Sequence, residues 1–363
     1  MNHRSIRCSK HRLGFARRAA VLSVSKLGGG SPNSIVAVKY IKPSSSVSGF
    51  PFTLIMSLNK VFKLNTGASI PAIGLGTWQS KPEEVYNAVK TAINAGYRHI
   101  DTAYAYGNED AVGRGIKDGL KEAGLKREDV FVTTKLWSTF HRPADVQKGI
   151  DESLASLGLD YLDLYLMHWP VALTPGKGSL FPRHEDGTRD LDAEINGDFT
   201  ITYGAMEKLL ESGKTKAIGV SNFSTHNLDV LLKSAKVVPA VNQVELHPYL
   251  PQTKLLEYCT AKGIHLTAYS PLGSTDSPLQ KEPVLIEIAE KNNKSVAQTL
   301  ISWAVQRGTS VLPKSVTPSR IEANFQDYKL SDEDFAKINE ISSKHSQRLV
   351  SPDWGVTVFH DDQ

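Results

Sequence analysis

From residue 61 onward, short apolar runs rich in Val, Ile and Leu alternate with amphipathic stretches of helical period. The runs 72–75, 98–101, 130–134, 162–167, 216–220, 240–245, 265–269 and 310–313 are eight candidate strands. Between them, 82–95, 109–123, 143–157, 200–212, 225–234, 252–262 and 283–292 read as helices, and Trp303 falls in a further helical pattern that points to packing. Lys81-Pro82-Glu83-Glu84 puts proline in a first turn and acids beside the helix N-terminus, and Pro143 is followed by Asp145 in the same way. Ahead of the first strand, 62–69 reads as a short hairpin turned at Asn65-Thr66-Gly67.

Eight strands alternating with helices predict one closed (β/α)8 barrel over 57–363, with an N-terminal β-hairpin and a C-terminal tail. A doubly wound dinucleotide sheet competes, but its glycine fingerprint is missing. Gly113-Arg114-Gly115 lies inside a helical pattern and not after a strand.

Composition sharpens this picture at one end. Over 363 residues, 40% are hydrophobic and 22% charged, as in a globular chain. No apolar run reaches the roughly 18 residues of a membrane span. Cys8 and Cys259 alone exclude a disulfide framework. Residues 1–56 carry nine Lys or Arg and no acid, so the formal net charge of +4 divides into +9 for this leader and −5 for the remainder. The positive charge therefore does not mark a nucleic-acid surface on the fold. The leader is Ser-rich and is expected to be disordered. It reads either as a mitochondrial transit peptide or as sequence upstream of a start at Met56, which leaves a cytoplasmic protein.

Several motifs fail on inspection. Ser212-Gly213-Lys214-Thr215 lacks the earlier glycine of a phosphate loop, and Phe223 stands where a nucleophile elbow closes on glycine. Eleven histidines show no paired ligand spacing, so no metal is expected.

In a barrel of this kind, polar residues just past the strand ends line one mouth. Those positions hold Asp101, Lys135, His168, Ser221, Asn222, Gln243, Tyr269, Ser270, Lys314 and Ser315, with Tyr106 five residues after Asp101. Taken singly, each has a structural reading: Asp101 paired with Arg98, His168 as a core histidine, Lys135 reaching to water. Their convergence on one face favours chemistry. A phenol is a poor acid near neutral pH unless a cation stabilises its phenolate. Lys135 is placed to be that cation, Asp101 to orient it, and His168 to position a carbonyl oxygen. No side chain delivers a hydride, so a nicotinamide cofactor is required.

At these residues the chain resembles the aldo-keto reductases. Gly96-Tyr97-Arg98-His99-Ile100-Asp101-Thr102-Ala103 with Tyr106-Gly107-Asn108-Glu109 resembles a first signature of that family, and Leu162 through Pro170 a second. Leu312-Pro313-Lys314-Ser315 through Arg320 is similar to a third, and the resemblance covers roughly 60–345. It implies Tyr106 as general acid, supported by Asp101, Lys135 and His168. It also implies NADPH or NADP+ held by Thr77, Trp78, Asp101, Ser221, Asn222, Gln243, Tyr269, Ser270, Leu272, Asp276, Lys314, Ser315, Val316, Arg320 and Asn324. Asp276 would clasp the cofactor against Lys314. Ala323 departs from the family by replacing a frequent glutamate beside the adenine.

The implied carbonyl pocket is Trp78, Trp137, His168, Trp169 and Phe181, with Trp354 either capping it or packing. The implied activity is reduction of aldehydes and some ketones, including glyceraldehyde and short sugars, by a monomer that binds neither nucleic acid nor membrane. The loop 171–199 and the tail are most similar to fungal glycerol-dehydrogenase and aldehyde-reductase members. Alternatives are an aldose (xylose-type) reductase, a cofactor-bound regulatory or structural barrel, and a Schiff-base enzyme using Lys135.

Overall fold

The computed structural model describes residues 59–195, 197–273 and 277–360. The expectations for the leader 1–56 and for Asp276 lie outside the described residues. The chain forms a hairpin and then a parallel barrel. In the hairpin, β1 (Val61–Lys63) pairs antiparallel with β2 (Ser69–Pro71). The barrel strands are β3 (Leu75–Gly76), β4 (His99–Asp101), β5 (Phe131–Leu136), β6 (Leu164–Met167), β7 (Ile218–Ser221), β8 (Val241–Glu245), β9 (His265–Tyr269) and β10 (Ser310–Val311). Each lies beside its sequence neighbour, and parallel bridges Ile73–Val311 and Gly76–Lys314 join last strand to first. Gly74 N–H donates to Val311 O at 2.9 Å and Val311 N–H to Ala72 O at 2.7 Å, so the sheet has no open edge there.

The helices follow the strands: α1 (Pro82–Ala95), α2 (Glu109–Ala123), α3 (Pro143–Leu157), α4 (Phe199–Glu207), α5 (Thr225–Leu232), α6 (Thr253–Ala261), α7 (Pro283–Lys291) and α8 (Val296–Gln306). The first three keep the bounds expected of them because both ends are punctuated in sequence. On α1, Pro82 opens the helix, Gly96 ends it in the left-handed region (φ 111°), and Val85, Ala88, Val89, Ala92 and Ile93 form one buried stripe. The 200–212 pattern instead divides into α4 and a 3-10 turn, Lys208–Leu210. Trp303 on α8 is buried and donates to Asn339, which is packing as expected. The short helices α9 (Pro318–Asn324), α10 (Asp332–Asn339) and α11 (Ile341–Lys344) carried too few turns to show a period.

Strand pleat decides which side chains enter the barrel. On β5 and β6, Phe131, Leu164 and Leu166 join an inner cluster, whereas Val132, Leu136, Tyr165 and Met167 pack outward under the helices. The hairpin closes the bottom of this inner cluster with Leu64 and Ile70, and Asn65 Nδ2 reaches the carbonyls of Val238 and Pro239 at 3.2 and 3.1 Å. The opposite end, where strands finish, stays open for chemistry.

The glycines of Gly113-Arg114-Gly115 have a packing reason. A Cβ on Gly113 would lie 2.1 Å from Leu157 O, and one on Gly115 would lie 2.8 Å from Tyr86 O. Alanine favours a helix over glycine by about 1 kcal/mol, but here the overpacking cost outweighs it. Gly113→Ala is expected to lower stability by about 1–3 kcal/mol. Urea denaturation should show a lower midpoint with an unchanged slope, and a raised midpoint would contradict the close α2–α3 contact.

Candidate active site

The open end collects residues from several inward-facing strand ends. Asp101 closes β4 and Lys135 lies near the end of β5, both buried. Lys135 Nζ donates to Asp101 Oδ1 at 2.6 Å, to Thr102 O at 2.7 Å and to the Tyr106 hydroxyl at 3.4 Å. Gln243 Nε2 donates to the other carboxylate oxygen of Asp101 at 2.7 Å. Arg98 is not the partner of Asp101, because its guanidinium donates to the carbonyls of Ile93 and Tyr97. Tyr106 ends a 3-10 turn, Tyr104–Tyr106, stopped by Gly107 at φ 63° and tied to α3 through Tyr104 OH and Glu152. Asn108 Nδ2 holds the same loop to the carbonyls of Thr77 and Ser80.

An ammonium has donors and no lone pair, so Tyr106 must accept from Lys135. Its own hydroxyl hydrogen is then left to point into the cavity. Burial, reinforced by the Asp101 charge, pushes Tyr106 well above the usual phenol range and keeps it protonated. The resting site therefore stores the proton. Burial also lowers Lys135, against the pull of Asp101. His168 lies edge-on to Tyr106, ring centres 5.8 Å apart. Burial, Lys135 and His141 push it well below the usual imidazole range, so it is neutral.

These groups open into a cavity of about 920 Å³. One end is aromatic: Trp78, Trp137, Trp169, Phe181 and Trp354 line it with Tyr106 and His168. Trp137 Nε1 donates to Leu180 O at 2.6 Å, which fastens the loop 171–199 to the mouth. Trp354 both lines the cavity and packs, buried 5.1 Å from Trp169 and 6.0 Å from Trp137. Thr77, Asp101, Ser221, Asn222, Gln243, Tyr269, Ser270, Leu272, Lys314 and Arg320 also face the cavity. Tyr269 OH donates to Asn222 Oδ1, and Asn222 and Ser270 hold the left-handed backbone at φ 64° and 48°.

A model of the Aldo/keto reductase family matches residues 72–343. The chain belongs to the aldo/keto reductase family. It is 55% identical over 303 residues to a glycerol 2-dehydrogenase (NADP(+)) of Saccharomyces cerevisiae, covering 81% of this chain and 95% of the relative. An aldehyde reductase of the same yeast is 50% identical over 301 residues, covering 81% and 94%. The structure of the aldose reductase from Schistosoma japonicum superposes with a TM-score of 0.75 at 44% identity, covering 80% of this chain and 94% of that one.

Not every residue assigned from the resemblance faces the cavity of this aldo/keto reductase. Lys135 stands behind Tyr106, while Ser315 and Val316 precede α9 and Asn324 ends it, outside the lining. The sequence reading missed Gln79, Ala105, Lys281 and the tail run 349–352, all of which line the cavity. They sit in loops without period, where composition offered no signal. Among the described residues no group of His, Cys, Asp or Glu is arranged to hold a metal. Nor is any helix long and apolar enough to cross a membrane.

The buried pair makes a stability prediction. Lys135→Met leaves Asp101 charged and unanswered, and is expected to cost about 3–5 kcal/mol. The double variant Lys135→Met/Asp101→Asn should recover much of that loss in a denaturation cycle. Additive losses would mean the two charges are not coupled.

Proposed function

We propose that this aldo/keto reductase uses NADPH to reduce aldehydes, and some ketones including glyceraldehyde and short sugars, to alcohols. The observation that carries the reading is one cavity whose wall joins the proton site, the aromatic residues and the cations Lys281, Lys314 and Arg320. Lys314 and Arg320 line it without a carboxylate partner among the described residues, which suits a ligand phosphate. Ser221, Asn222, Gln243 and Tyr269 form a connected polar strip on the cavity wall, fitting a nicotinamide carboxamide and ring. When bound, the cofactor supplies the hydride for the carbonyl carbon.

The chain's own residues supply the rest. Neutral His168, with a proton on the nitrogen facing the cavity, donates to the carbonyl oxygen and fixes its direction. Tyr106 gives its free hydroxyl proton to that oxygen as negative charge develops there. Lys135 and Asp101 answer the phenolate left behind. Lys135 is fully buried with its ammonium engaged, which supports this role over a Schiff-base nucleophile. Trp78, Trp137, Trp169 and Phe181 give the cavity an apolar wall that favours uncharged substrates. All four proton-site residues come from one chain, so a monomer suffices.

NADPH oxidation with a panel of aldehydes tests the reading. Tyr106→Phe is expected to lower kcat about 10²- to 10⁴-fold with the NADPH Kd almost unchanged. Normal turnover in that variant would overturn the mechanism. Replacing Lys314 and Arg320 by alanine should weaken NADPH about tenfold or more and NADH much less.

Because Tyr106 stays protonated and His168 neutral, kcat for reduction should be flat from about pH 6 to about pH 8. A limb centred near the ordinary imidazole value would show that His168 ionises in the working enzyme.

A further inference from the structure

The tail 345–360 crosses the mouth without regular structure, and its run 349–352 forms part of the cavity wall beside Trp354. Backbone in such a segment needs partners, and two of its N–H groups find them on one side chain. Leu349 N–H donates to Glu245 Oε1 at 2.6 Å, and Val350 N–H donates to Oε2 at 2.8 Å. Glu245 is the last residue of β8 and fully buried. The period of the strand places it on the same inward face as Gln243, one step nearer the mouth.

His247 Nε2 lies 2.7 Å from the same carboxylate. Although burial alone would raise Glu245, His247 and the two tail N–H groups hold it below the usual carboxylate range. A buried carboxylate with this many donors is built to stay charged and to grip.

Other hydrogen bonds of the tail lie to either side. Gln347 N–H donates to Tyr249 O, Arg189 Nε to Asp353 O, and Asn227 Nδ2 to Val358 O. Within 349–352, the hydrogen bonds among the described residues go to Glu245. The run 349–352 shares the cavity wall with Tyr106 and His168.

We propose that Glu245 is a specificity-setting positioning residue, whose carboxylate holds 349–352 as the wall against which large aldehydes bind. It sets KM for substrates that reach the wall and leaves the chemistry of small ones alone. The inference rests on the reductase reading above.

Glu245→Gln in the full chain tests it, because the new amide turns a donor toward a backbone N–H. Amide exchange at Leu349 and Val350 is expected to quicken about tenfold or more. KM for a bulky aromatic aldehyde should rise about tenfold, while kcat and KM for glyceraldehyde stay within about twofold. Val350→Pro removes one tail N–H, leaves Glu245 and His247 together, and should quicken exchange at Leu349 and raise KM for the bulky aldehyde if Glu245→Gln folds poorly.

Unchanged exchange at the remaining tail amides, or equal loss on both aldehydes, overturns the proposal. Failure of the unaltered chain to turn over either aldehyde overturns the reductase reading and the specificity claim with it. Turnover with unaltered exchange in the variants overturns the clamp alone.

Discussion

The ammonium of Lys135 has no route to water, and its charge has to be answered inside the barrel. Removing such an ion from water costs several kcal/mol, and attraction to a partner repays this only when the remaining hydrogen-bonding positions are also filled. Here they are. The three ammonium hydrogens go to Asp101, the Thr102 carbonyl and Tyr106, and the second oxygen of Asp101 goes to Gln243. The arrangement spans β4, β5 and β8 with the loop after β4. It therefore depends on barrel closure: bridges between first and last strands fix the curvature that brings Gln243 across the lumen to Asp101. Stability and chemistry rest on the same hydrogen bonds, because the third hydrogen of Lys135 orients Tyr106.

That orientation gives a direction to an otherwise weak acid. Tyr106 accepts from Lys135, so its hydrogen faces the cavity, and burial keeps the hydrogen in place until charge appears on a bound oxygen. In the proposed mechanism Lys135 matters most after transfer, when a phenolate lies beside it. The same low-dielectric surroundings hold His168 neutral, so it donates without adding charge. Burial thus keeps one titratable group protonated and the other neutral.

Much of this was legible in the sequence because strands impose a period of two. Once β4, β5 and β8 are placed, Asp101, Lys135 and Gln243 must point inward near the mouth. The bounds of α1, α2 and α3 were equally legible, since proline or acids open them and Gly96, Gly124 and Gly158 close them. Shorter elements were not. β3 is Leu75–Gly76 and not 72–75, because Leu75 and Gly76 ladder with β4 while Ile73 meets the last strand in an isolated bridge, a pairing that local pattern does not encode. The aromatic residues at the strand ends were found because they sit beside legible strands. Trp354 and the run 349–352 have no such neighbour in sequence.

This difference follows from how each part of the cavity is held. The proton site hangs on backbone geometry repeated around the barrel, so its residues are fixed by the fold and tolerate little variation in place. The outer wall hangs on single attachments made across long stretches of chain, from Glu245 to the tail and from Trp137 to Leu180. Arg189 adds another by stacking between Phe181 and Trp354, with its guanidinium carbon 5.0 and 5.5 Å from the two rings. Such attachments are invisible to periodicity. Under the proposed reading, a change in any of them reshapes the space beyond the carbonyl while leaving Asp101 and Lys135 where β4 and β5 put them. Chemistry and selectivity are then separable, because different physical constraints position them.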